Sequence, residues 1–431
     1  MQEEQPGGAK DHPQTSLADP DHRAWLRSDA ARQLDFFLPS LRGDGSFGVL
    51  DWDGAPLKRG PQELHTTTRL VHSYALGHAI GHRGADDIID AGLTFLWKHH
   101  RDQKHGGYVW AVAEDGTPAD GTKLAYGHVF VLLAASSAKA VGHPDADRLM
   151  ADIIEVLEQH YWEEGAGRFC DEFNHDWTPF SSYRGMNANM HGVEALLAAF
   201  EATGDPIHLS RAGQILDFFI GHMAAENGWR IPEHYTSTWQ IDPDYAGNPM
   251  FRPAGTTPGH ALEFARLRLQ HWDLAGRPES PALEEARALT QQALADAWGR
   301  AGGLAYTLDR KGTVAIPDRY WWPVTEGIGV LATLLKIDPS DEDEDWYHRL
   351  WDFAARHFVD AKRGGWFPEI DADGAPTARQ FEGKPDIYHA LQATLYPLAP
   401  GVARHLGALR QGAAGSPLDQ APEALFSESR L

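Results

Sequence analysis

Apolar residues recur at helical spacing in segments that come in pairs along the chain. Leu196, Leu197 and Phe200, for example, share one face of such a segment. This period predicts paired helices, each with a buried stripe. The first members of the pairs begin near Gln62, Thr122, Gly185, Pro258, Pro323 and Pro385. The second members cover approximately 86–100, 146–161, 206–223, 280–298, 341–358 and, from the start of the chain, 22–41.

Short loops that combine glycine with an aromatic residue separate the pairs. They recur about every 60 residues, stretched once to about 75, within reach of the longer known repeat periods. Several continue into turn signals such as Asp115-Gly116 and Asp373-Gly374, which predict tight hairpins. The loops lie at 45–48, 106–108, 167–169, 228–229, 302–306 and 364–367.

Twelve helices in six helical hairpins predict an all-α fold. We expect an (α/α)6 barrel, in which an outer antiparallel ring surrounds an inner ring of parallel helices. An open solenoid is the alternative, and it requires polar capping repeats at both ends. The predicted organisation is a flexible tail at 1–21, one catalytic domain at 22–400 and a weakly ordered tail at 401–431, rich in Gly, Ala, Pro and Ser.

Polar residues stand in the first turns of the inner helices, where nearly every side chain is expected to be buried. Parallel inner helices begin at one end of the barrel, so these side chains should converge on one cavity. A set of unrelated capping and rim groups is the alternative, but it does not predict such a recurrence. The converging residues are Arg69, Asn187, His191, His260, Glu263, Glu326 and His389; Tyr126 and His128 begin the second inner helix, and Trp321-Trp322 precede the fifth.

The fourth inner helix has the most distinctive start, Thr257-Pro258-Gly259-His260. Threonine before proline predicts a helix start, with the hydroxyl capping a free amide and proline at the first helical position. His260 and Glu263 then share one face, so the carboxylate can fix the orientation and tautomer of the imidazole. A solvated surface pair is the alternative interpretation of these two residues alone.

Composition narrows the class of protein. The 431 residues are 42% hydrophobic and 23% charged, which is typical of a globular protein with a large core. The formal net charge of −23 disfavours nucleic acid and membrane surfaces as partners. A single cysteine, Cys170, and an N-terminal segment without an apolar stretch favour a cytoplasmic location. The 15 tryptophans suit a sugar-binding cup, although most are expected to fill the core.

The converging residues favour proton transfer next to a carbonyl group. Histidine can act as acid or base near neutral pH, and arginine can stabilise the oxyanion of an enediolate. No dinucleotide or phosphate-binding fingerprint and no nucleophilic serine elbow is present in the sequence. We therefore predict a small-molecule enzyme without a cofactor.

The sequence resembles the N-acylglucosamine 2-epimerase superfamily, and within it the aldose–ketose isomerases, over roughly residues 25–400. The resemblance is carried by the motifs Arg184-Gly185-Met186-Asn187-Ala188-Asn189-Met190-His191, Pro258-Gly259-His260-Ala261-Leu262-Glu263, Trp321-Trp322-Pro323 and Tyr388-His389. Asn-Ala-Asn-Met-His favours the isomerase branch, because cellobiose 2-epimerases usually carry Asn-Thr-His-Leu-His there. The chain departs from the family at Val324-Thr325, where Gln-Ala is frequent, and this departure weakens a sugar-contacting role for Glu326.

The resemblance implies a metal-free reaction on an open-chain monosaccharide. It implies that His389 carries a proton from C2 to C1, and that His260, oriented by Glu263, assists ring opening and moves protons between O1 and O2. Arg69 would stabilise the enediolate. The resemblance also implies that Asn187 and His191 hold sugar hydroxyls. The other expected substrate-binding residues are Tyr126, Trp321, Glu326 and Arg252.

The expected reaction is the interconversion of D-mannose and D-fructose, with D-lyxose and D-xylulose as a further pair. A 2-epimerase uses the same groups, and an (α/α)6 glycoside hydrolase would need two opposed carboxylates, for which Glu194, Glu263 and Glu326 are candidates. A non-catalytic sugar-binding barrel is the third alternative. An anionic sugar would need additional cations, and Arg252 and Lys384 are candidates in the rim loops. The sequence does not indicate an oligomeric state.

Overall fold

The computed structural model of the chain describes residues 16–413, apart from positions 59, 246 and 249. Thirteen α-helices lie in this part of the chain: α1 (Pro20–Phe37), α2 (Leu64–Ala79), α3 (Ala85–Phe95), α4 (Ala125–Ala140), α5 (Ala146–Val156), α6 (Met186–Thr203), α7 (Pro206–Leu216), α8 (Pro258–Leu274), α9 (Ala282–Ala297), α10 (Trp321–Ile337), α11 (Asp341–His357), α12 (Tyr388–Leu395) and α13 (His405–Ala413). Three of the outer helices continue into π-helical turns, Leu96–His100, Leu157–Tyr161 and Asp217–Ala224. Short 3-10 turns occupy Ser16–Ala18, Leu38–Ser40 and Tyr396–Leu398.

The even-numbered helices form a closed inner ring. Each packs against the next even-numbered helix, and α12 packs against α2, which closes the circle. Each inner helix also packs on the outer helix that follows it, and α12 packs on α1. The fold is therefore an (α/α)6 barrel, as predicted, and the closed ring leaves no ends for a solenoid to cap.

Burial separates the two rings as the sequence predicts. In α10 every residue from Trp321 to Leu335 is buried, whereas α11 buries one face and exposes most of its acidic first turn. Ser340 caps α11 by accepting a hydrogen bond from Asp343 N, and the first-turn carboxylates complement the helix dipole. Within the part of the chain that is described, no helix combines the length and the apolar character that a membrane crossing requires.

Helix boundaries differ from the expected ones in a few places. The inner helix α10 begins at Trp321, before Pro323, and α12 begins at Tyr388, after Pro385. The N-terminal 3-10 turn and α1 begin inside the expected tail, and the expected tail after 401 contains α13, which packs against α2. Positions 1–15 and 414–431 lie outside the described residues.

Short antiparallel strands connect the hairpins in a repeated pattern. A strand that precedes an inner helix pairs with a strand that follows the next outer helix; thus Gln62–Glu63 pairs with Ala111–Val112, and Arg184–Gly185 pairs with His234–Tyr235. Thr256 and Leu308, and Lys384 and Leu50, form single bridges at the equivalent places. The strands are β1 (Gln62–Glu63), β2 (Ala111–Val112), β3 (Pro118–Asp120), β4 (Lys123–Leu124), β5 (Trp162–Glu163), β6 (Arg168–Phe169), β7 (Glu172–Phe173), β8 (Arg184–Gly185), β9 (His234–Tyr235), β10 (Thr307–Leu308), β11 (Val314–Ile316), β12 (Arg319–Tyr320) and β13 (Glu369–Ile370).

Two of the glycine loops are built in the same way around a buried lysine. Lys123 Nζ lies 2.9 Å from Asp102 Oδ2 and donates to Gly106 O. Lys384 Nζ lies 2.9 Å from Asp360 Oδ2 and donates to the backbone oxygen of the equivalent glycine at 2.7 Å. The repetition shows that these lysines tie each loop to the strand before the next inner helix, and that Lys384 serves structure.

Candidate active site

The first turns of the inner helices surround an open hollow of about 160 Å³. All the predicted site residues line it except Glu326 and Arg252. His128 lies elsewhere: its ring accepts a hydrogen bond from Tyr108 N and donates to Leu124 O in the barrel wall. The lining residues are His65, Arg69, Tyr126, Asn187, His191, Met250, Phe251, His260, Glu263, Tyr306, Trp321, Trp322, Phe381, Pro385, Asp386 and His389.

Two imidazoles from different inner helices pack on one indole in this hollow. The ring centre of His260 lies 5.0 Å from that of Trp322, and the ring centre of His389 lies 5.9 Å from the same indole. Both histidines belong to first turns, so the parallel inner ring brings them together. The predicted convergence of 260 and 389 on one cavity is therefore present in the structure.

His389 is held by Glu326. The ring donates from Nδ1 to Glu326 Oε1 at 2.8 Å, because an ionised carboxylate can only accept. This hydrogen bond fixes the tautomer and leaves Nε2 unprotonated. Glu326 is 2% exposed and does not line the hollow, so its predicted contact with substrate is wrong, and its role is to orient the histidine.

His260 is held by Glu233 and not by Glu263 as predicted. Its Nδ1 donates to Glu233 Oε1 at 2.9 Å. Glu233 lies just before β9, and its backbone oxygen accepts from the first amide of α6 (Met186 N). The repeated strand pattern places this loop beside the start of α8, where the Glu233 side chain reaches His260. The predicted cap at this start is also wrong, since Thr257 makes no side-chain hydrogen bond to the helix.

Glu263 lies at the floor of the hollow. Neither of its carboxyl oxygens has a hydrogen-bond partner within the described part of the chain, and Arg266 Nη2 lies 3.6 Å from Oε1. Burial and the nearby charge of Glu326 raise the pKa of Glu263 well above its usual range. Burial thus favours the neutral carboxyl form of Glu263, and both of its oxygens are enclosed beneath the hollow.

Arg69 is fixed by two neighbours on the wall of the hollow. Its Nη1 donates to Asp386 Oδ2 at 2.7 Å, and its Nη2 donates to the hydroxyl of Tyr126 at 2.8 Å. Burial disfavours the charge, but Tyr126 and Asp386 outweigh it and raise the pKa of Arg69. A permanent, oriented cation in a largely buried cup suits the stabilisation of an oxyanion.

Asn187 and His191 line the hollow, and each has one buried polar atom without a hydrogen-bond partner among the described residues. Asn187 Oδ1 has no hydrogen-bond partner among the described residues, and His191 Nδ1 lies 3.8 Å from Glu194 and 3.6 Å from Glu263. Burial lowers the pKa of His191 to about 4, so the ring is neutral near pH 7. Leaving buried polar atoms unpaired is costly, and these two atoms are enclosed in the protein beside the hollow.

Arg252 does not contribute to the hollow. Its guanidinium donates to Glu172 Oε2 at 2.6 Å and lies 4.1 Å from the ring centre of Tyr183. The proposed contact of Arg252 with substrate is therefore not supported by its position. Lys384, the other candidate cation of the rim, is engaged by Asp360 and Gly364.

Three clusters of acidic and histidine side chains could in principle hold a metal ion. Two overlap the floor of the hollow, and there Arg266 already supplies the positive charge, with Nη2 3.0 Å from Glu326. The third joins Asp102, His105 and His175 at the rim, where the ammonium of Lys123 is the cation. Each carboxylate set therefore has a resident cation from the protein itself.

Three charged residues in and around the site, Asp386, Arg266 and Glu233, were not predicted. Asp386 stands one helical turn before His389, and a carboxylate at that place could have been noticed as a partner for Arg69. Arg266 lies further along α8 from Glu263, and a charged residue inside an inner helix is itself a signal. Glu233 gave no signal, since it lies in a loop 27 residues before His260.

Comparisons with known proteins agree with this geometry. The sequence profile of the N-acylglucosamine 2-epimerase (GlcNAc 2-epimerase) family matches residues 45–393. The chain is 43% identical to the D-mannose isomerase of Thermobifida fusca over 398 residues, which cover 90% of this chain and 97% of that protein. It is 38% identical to the D-mannose isomerase of Pseudomonas cannabina pv. alisalensis, covering 91% of this chain and 97% of that protein. The fold matches a crystal structure of D-mannose isomerase with a TM-score of 0.82 and 33% identity, over 87% of this chain and 97% of that one.

Proposed function

The chain belongs to the N-acylglucosamine 2-epimerase family, and we propose that it is an aldose–ketose isomerase that interconverts D-mannose and D-fructose, with D-lyxose and D-xylulose as a second pair. Similarity to D-mannose isomerases at 43% and 38% identity supports this activity. The observation that carries the proposal is the pair of imidazoles on Trp322, each with its Nδ1 bound to a carboxylate and its Nε2 free.

The reaction moves one proton between neighbouring carbons. In the open-chain aldose, His389 Nε2 takes the proton from C2, the electrons of that C–H bond form the C1–C2 double bond, and O1 becomes an oxyanion. His260 transfers the proton of the O2 hydroxyl to O1. The proton on His389 then adds to C1 while the C2–O bond becomes the ketone, so no atom is gained or lost.

The remaining groups of the hollow stabilise and hold the sugar. Arg69 faces the developing oxyanion, where a preorganised cation lowers the barrier more than it would in water. Asn187 and His191 line the hollow where the hydroxyl groups of the sugar would lie. Tyr126 and Trp321 complete the wall, and Glu263 lies at the floor.

The substrate is a neutral sugar. The hollow contains one guanidinium, that of Arg69, and Asp386 already balances its charge. Arg252 and Lys384 are both held in other ion pairs. A phosphorylated or sulfonated sugar would therefore bring an uncompensated charge into this hollow.

The carboxylates that could serve glycoside hydrolysis are not arranged for that reaction. Glu326 is bound by His389 and Arg266, and Glu194 accepts hydrogen bonds from Tyr388 and Gln392. Neither lines the cavity, so no opposed free pair is present there among the described residues. The proposed reaction also requires no metal ion. We place the enzyme in the cytoplasm because the chain has a single cysteine, the buried Cys170, and so cannot form an intrachain disulfide.

The test uses D-mannose carrying deuterium at C2, with the purified enzyme and a chelator in ordinary water. We expect NMR to show D-fructose as the product. It should carry deuterium at C1 to the extent that His389 keeps the deuteron from C2 and does not exchange it with water. A His389→Ala variant that remains folded should lose about 10²–10⁴-fold in kcat, the usual contribution of a positioned acid–base group. Folding of the variant is checked by thermal unfolding.

Three results would contradict the proposal. Glucose as the main product would indicate a 2-epimerase, and cleavage of oligosaccharides without conversion of mannose would indicate a hydrolase. Loss of activity with chelator that a divalent cation restores would overturn the metal-free mechanism.

A further inference from the structure

Arg266 lies directly beneath the hollow, on the inner helix that also carries His260 and Glu263. It is 1% exposed, which is rare for an arginine. Its guanidinium is surrounded by titratable groups from several elements: Glu263 on α8, Glu326 on α10, Glu194 on α6, Tyr396 in the 3-10 turn after α12, and, further away, His405 on α13. Three carboxyl groups thus face one cation.

Of these groups, Glu326 makes the closest contact with Arg266. Arg266 Nη2 lies 3.0 Å and Nε lies 3.3 Å from Glu326 Oε2. The other oxygen of the same carboxylate, Oε1, accepts the Nδ1 proton of His389 at 2.8 Å. Glu326 therefore bridges the guanidinium and the imidazole, with one oxygen for each.

The second imidazole of the hollow lacks such an arrangement. His260 binds Glu233 at 2.9 Å, and the structure gives Glu233 no ion pair with an arginine or a lysine among the described residues. Glu233 also lines a separate hollow of about 240 Å³ next to the first, whereas Glu326 is enclosed. The two pairs thus differ in that an arginine contacts Glu326, whereas Glu233 has only its histidine as an ion-pair partner among the described residues.

We propose that Arg266 is a positioning residue for the isomerisation, which keeps Glu326 in its carboxylate form and thereby keeps His389 in the tautomer that has a free Nε2. Burial alone would raise the pKa of Glu326, but Arg266 and the hydrogen bond from His389 lower it. Arg266 does not line the hollow and acts through Glu326.

The consequence of losing this cation follows from the proton positions. If Glu326 were protonated, its O–H would donate to Nδ1, and the imidazole proton would move to Nε2. His389 would then have no lone pair facing the substrate and could not take the C2 proton. Base catalysis would return only at a pH high enough to ionise Glu326.

The test compares variants of two arginines on the same helix. Arg266→Gln removes the charge. Arg266→Lys keeps the charge but loses the planar guanidinium, whose Nη2 and Nε both donate to Glu326 Oε2. The matched control is Arg268→Gln: Arg268 is also buried, but it binds Glu285 at 2.7 Å and Asp217 at 3.0 Å on the outer ring. Its loss should lower the melting temperature without touching the hollow.

We expect Arg266→Gln to lower kcat by about 10–100-fold, the range found when the partner behind a metal-binding histidine is removed. KM should stay within about twofold because substrate contacts remain. The acid limb of the pH profile of kcat, in which kcat decreases as the pH falls, should move to higher pH. Arg266→Lys should restore part of kcat and return the limb towards the wild-type position. Arg268→Gln should keep the wild-type kcat and limb.

The role of Arg266 rests on the proposed function, and the two can fail separately. If the wild-type enzyme does not convert mannose to fructose, the proposed function itself is wrong. If it does, and Arg266→Gln has the kcat and acid limb of Arg268→Gln, only the role of Arg266 is overturned. If Arg266→Gln does not fold, Arg266→Met, which also removes the charge, decides in the same way: the kcat and acid limb of Arg268→Gln overturn the role, and a lower kcat with a shifted limb supports it.

Discussion

Each of the two imidazoles that pack on Trp322 is bound to a carboxylate from a different part of the chain. Glu326 comes from the inner helix next to His389, whereas Glu233 comes from a loop and binds the first-turn histidine His260. Both carboxylates accept from Nδ1, so both rings direct Nε2 into the hollow. With the same tautomer, one base can transfer the carbon-bound proton of a sugar and the other can transfer its hydroxyl proton.

The assignment of Glu233 to His260 predicts a difference between two glutamates. Replacing Glu233→Gln should remove the carboxylate that accepts the Nδ1 proton, and kcat should fall by about 10²–10⁴-fold, as expected when a histidine loses its orienting carboxylate. A downfield imidazole N–H resonance, assigned by its loss in His260→Gln, should disappear in Glu233→Gln. Proton NMR of the free enzyme provides the measurement.

Glu263→Gln is the matched variant for this comparison. Because Glu263 is a neutral carboxyl in the folded protein, glutamine resembles it in charge and shape, and the resonance of His260 should remain. Persistence of the resonance in Glu233→Gln and its loss in Glu263→Gln would return the orienting role to Glu263.

Sequence reasoning finds site residues that stand in regular helices and misses those that arrive by loops. Arg69, His191 and His389 could be predicted because the first turns of parallel inner helices share one end of the barrel. Glu233 could not, since its position depends on how the strand before α6 pairs with β9. Glu326 was placed correctly but given the wrong role, because the sequence does not show that its side chain turns away from the hollow.

The repeated strand pairing explains why the helix starts are so well aligned. A strand before each inner helix is bound to the loop after the next outer helix, and single bridges do the same at Thr256 and Lys384. Helical periodicity and turn residues therefore suffice to predict the twelve barrel helices. They do not give the starts of α10 and α12, where packing of Trp321 and Tyr388 overrides the prolines.

The contact between α8 and α10 depends on Gly259. A Cβ at this position would lie 2.4 Å from Trp322 Cζ3 and 3.1 Å from Pro323 Cα, and the backbone atom cannot move aside. Gly259→Ala should therefore displace the indole on which both imidazoles pack, with a loss of about 1–3 kcal/mol in unfolding free energy and a lower kcat. Urea denaturation and the mannose assay measure the two effects.

Gly299→Ala is the control for this substitution. The nearest atoms to a Cβ at Gly299 lie 3.8 Å away, at an ordinary contact distance. This variant should keep the stability and kcat of the wild type. A Gly259→Ala enzyme with the same properties would show that Trp322 has room to move and that its position is not critical.

The closed ring of inner helices holds many histidines away from water. Burial lowers the pKa of His72 and His100 to about 4 and that of His128 to about 3. His65, His191 and His405 are shifted in the same direction. These histidines therefore stay unprotonated in the folded chain at pH values where they bind protons in the unfolded chain, whose histidines have the ordinary pKa of about 6.5.

The sign of the pH dependence follows from this difference. Above pH 6.5 the histidines are neutral in both states and contribute nothing. As the pH falls from 6.5 towards 4, the unfolded chain binds more protons, so the free energy of unfolding decreases, by up to about 1.4 kcal/mol per pH unit for each group. Asp171, Glu201 and Glu263, whose pKa burial raises, act in the opposite direction but are fewer.

We therefore expect the urea concentration at the midpoint of unfolding to fall steadily from pH 6.5 to pH 4.5. The His128→Gln variant isolates the contribution of one buried histidine to this pH dependence. His128 accepts from Tyr108 N through Nε2, and protonation would remove that acceptor. The variant should be less stable than the wild type at pH 7 but should lose less stability on acidification, by about 1.4 kcal/mol per pH unit at most. His222→Gln, at a side chain that is 67% exposed, should leave the pH slope unchanged. An equal slope in His128→Gln and the wild type would mean that the folded barrel admits the proton, and that the closed wall around Tyr108 opens before the chain unfolds.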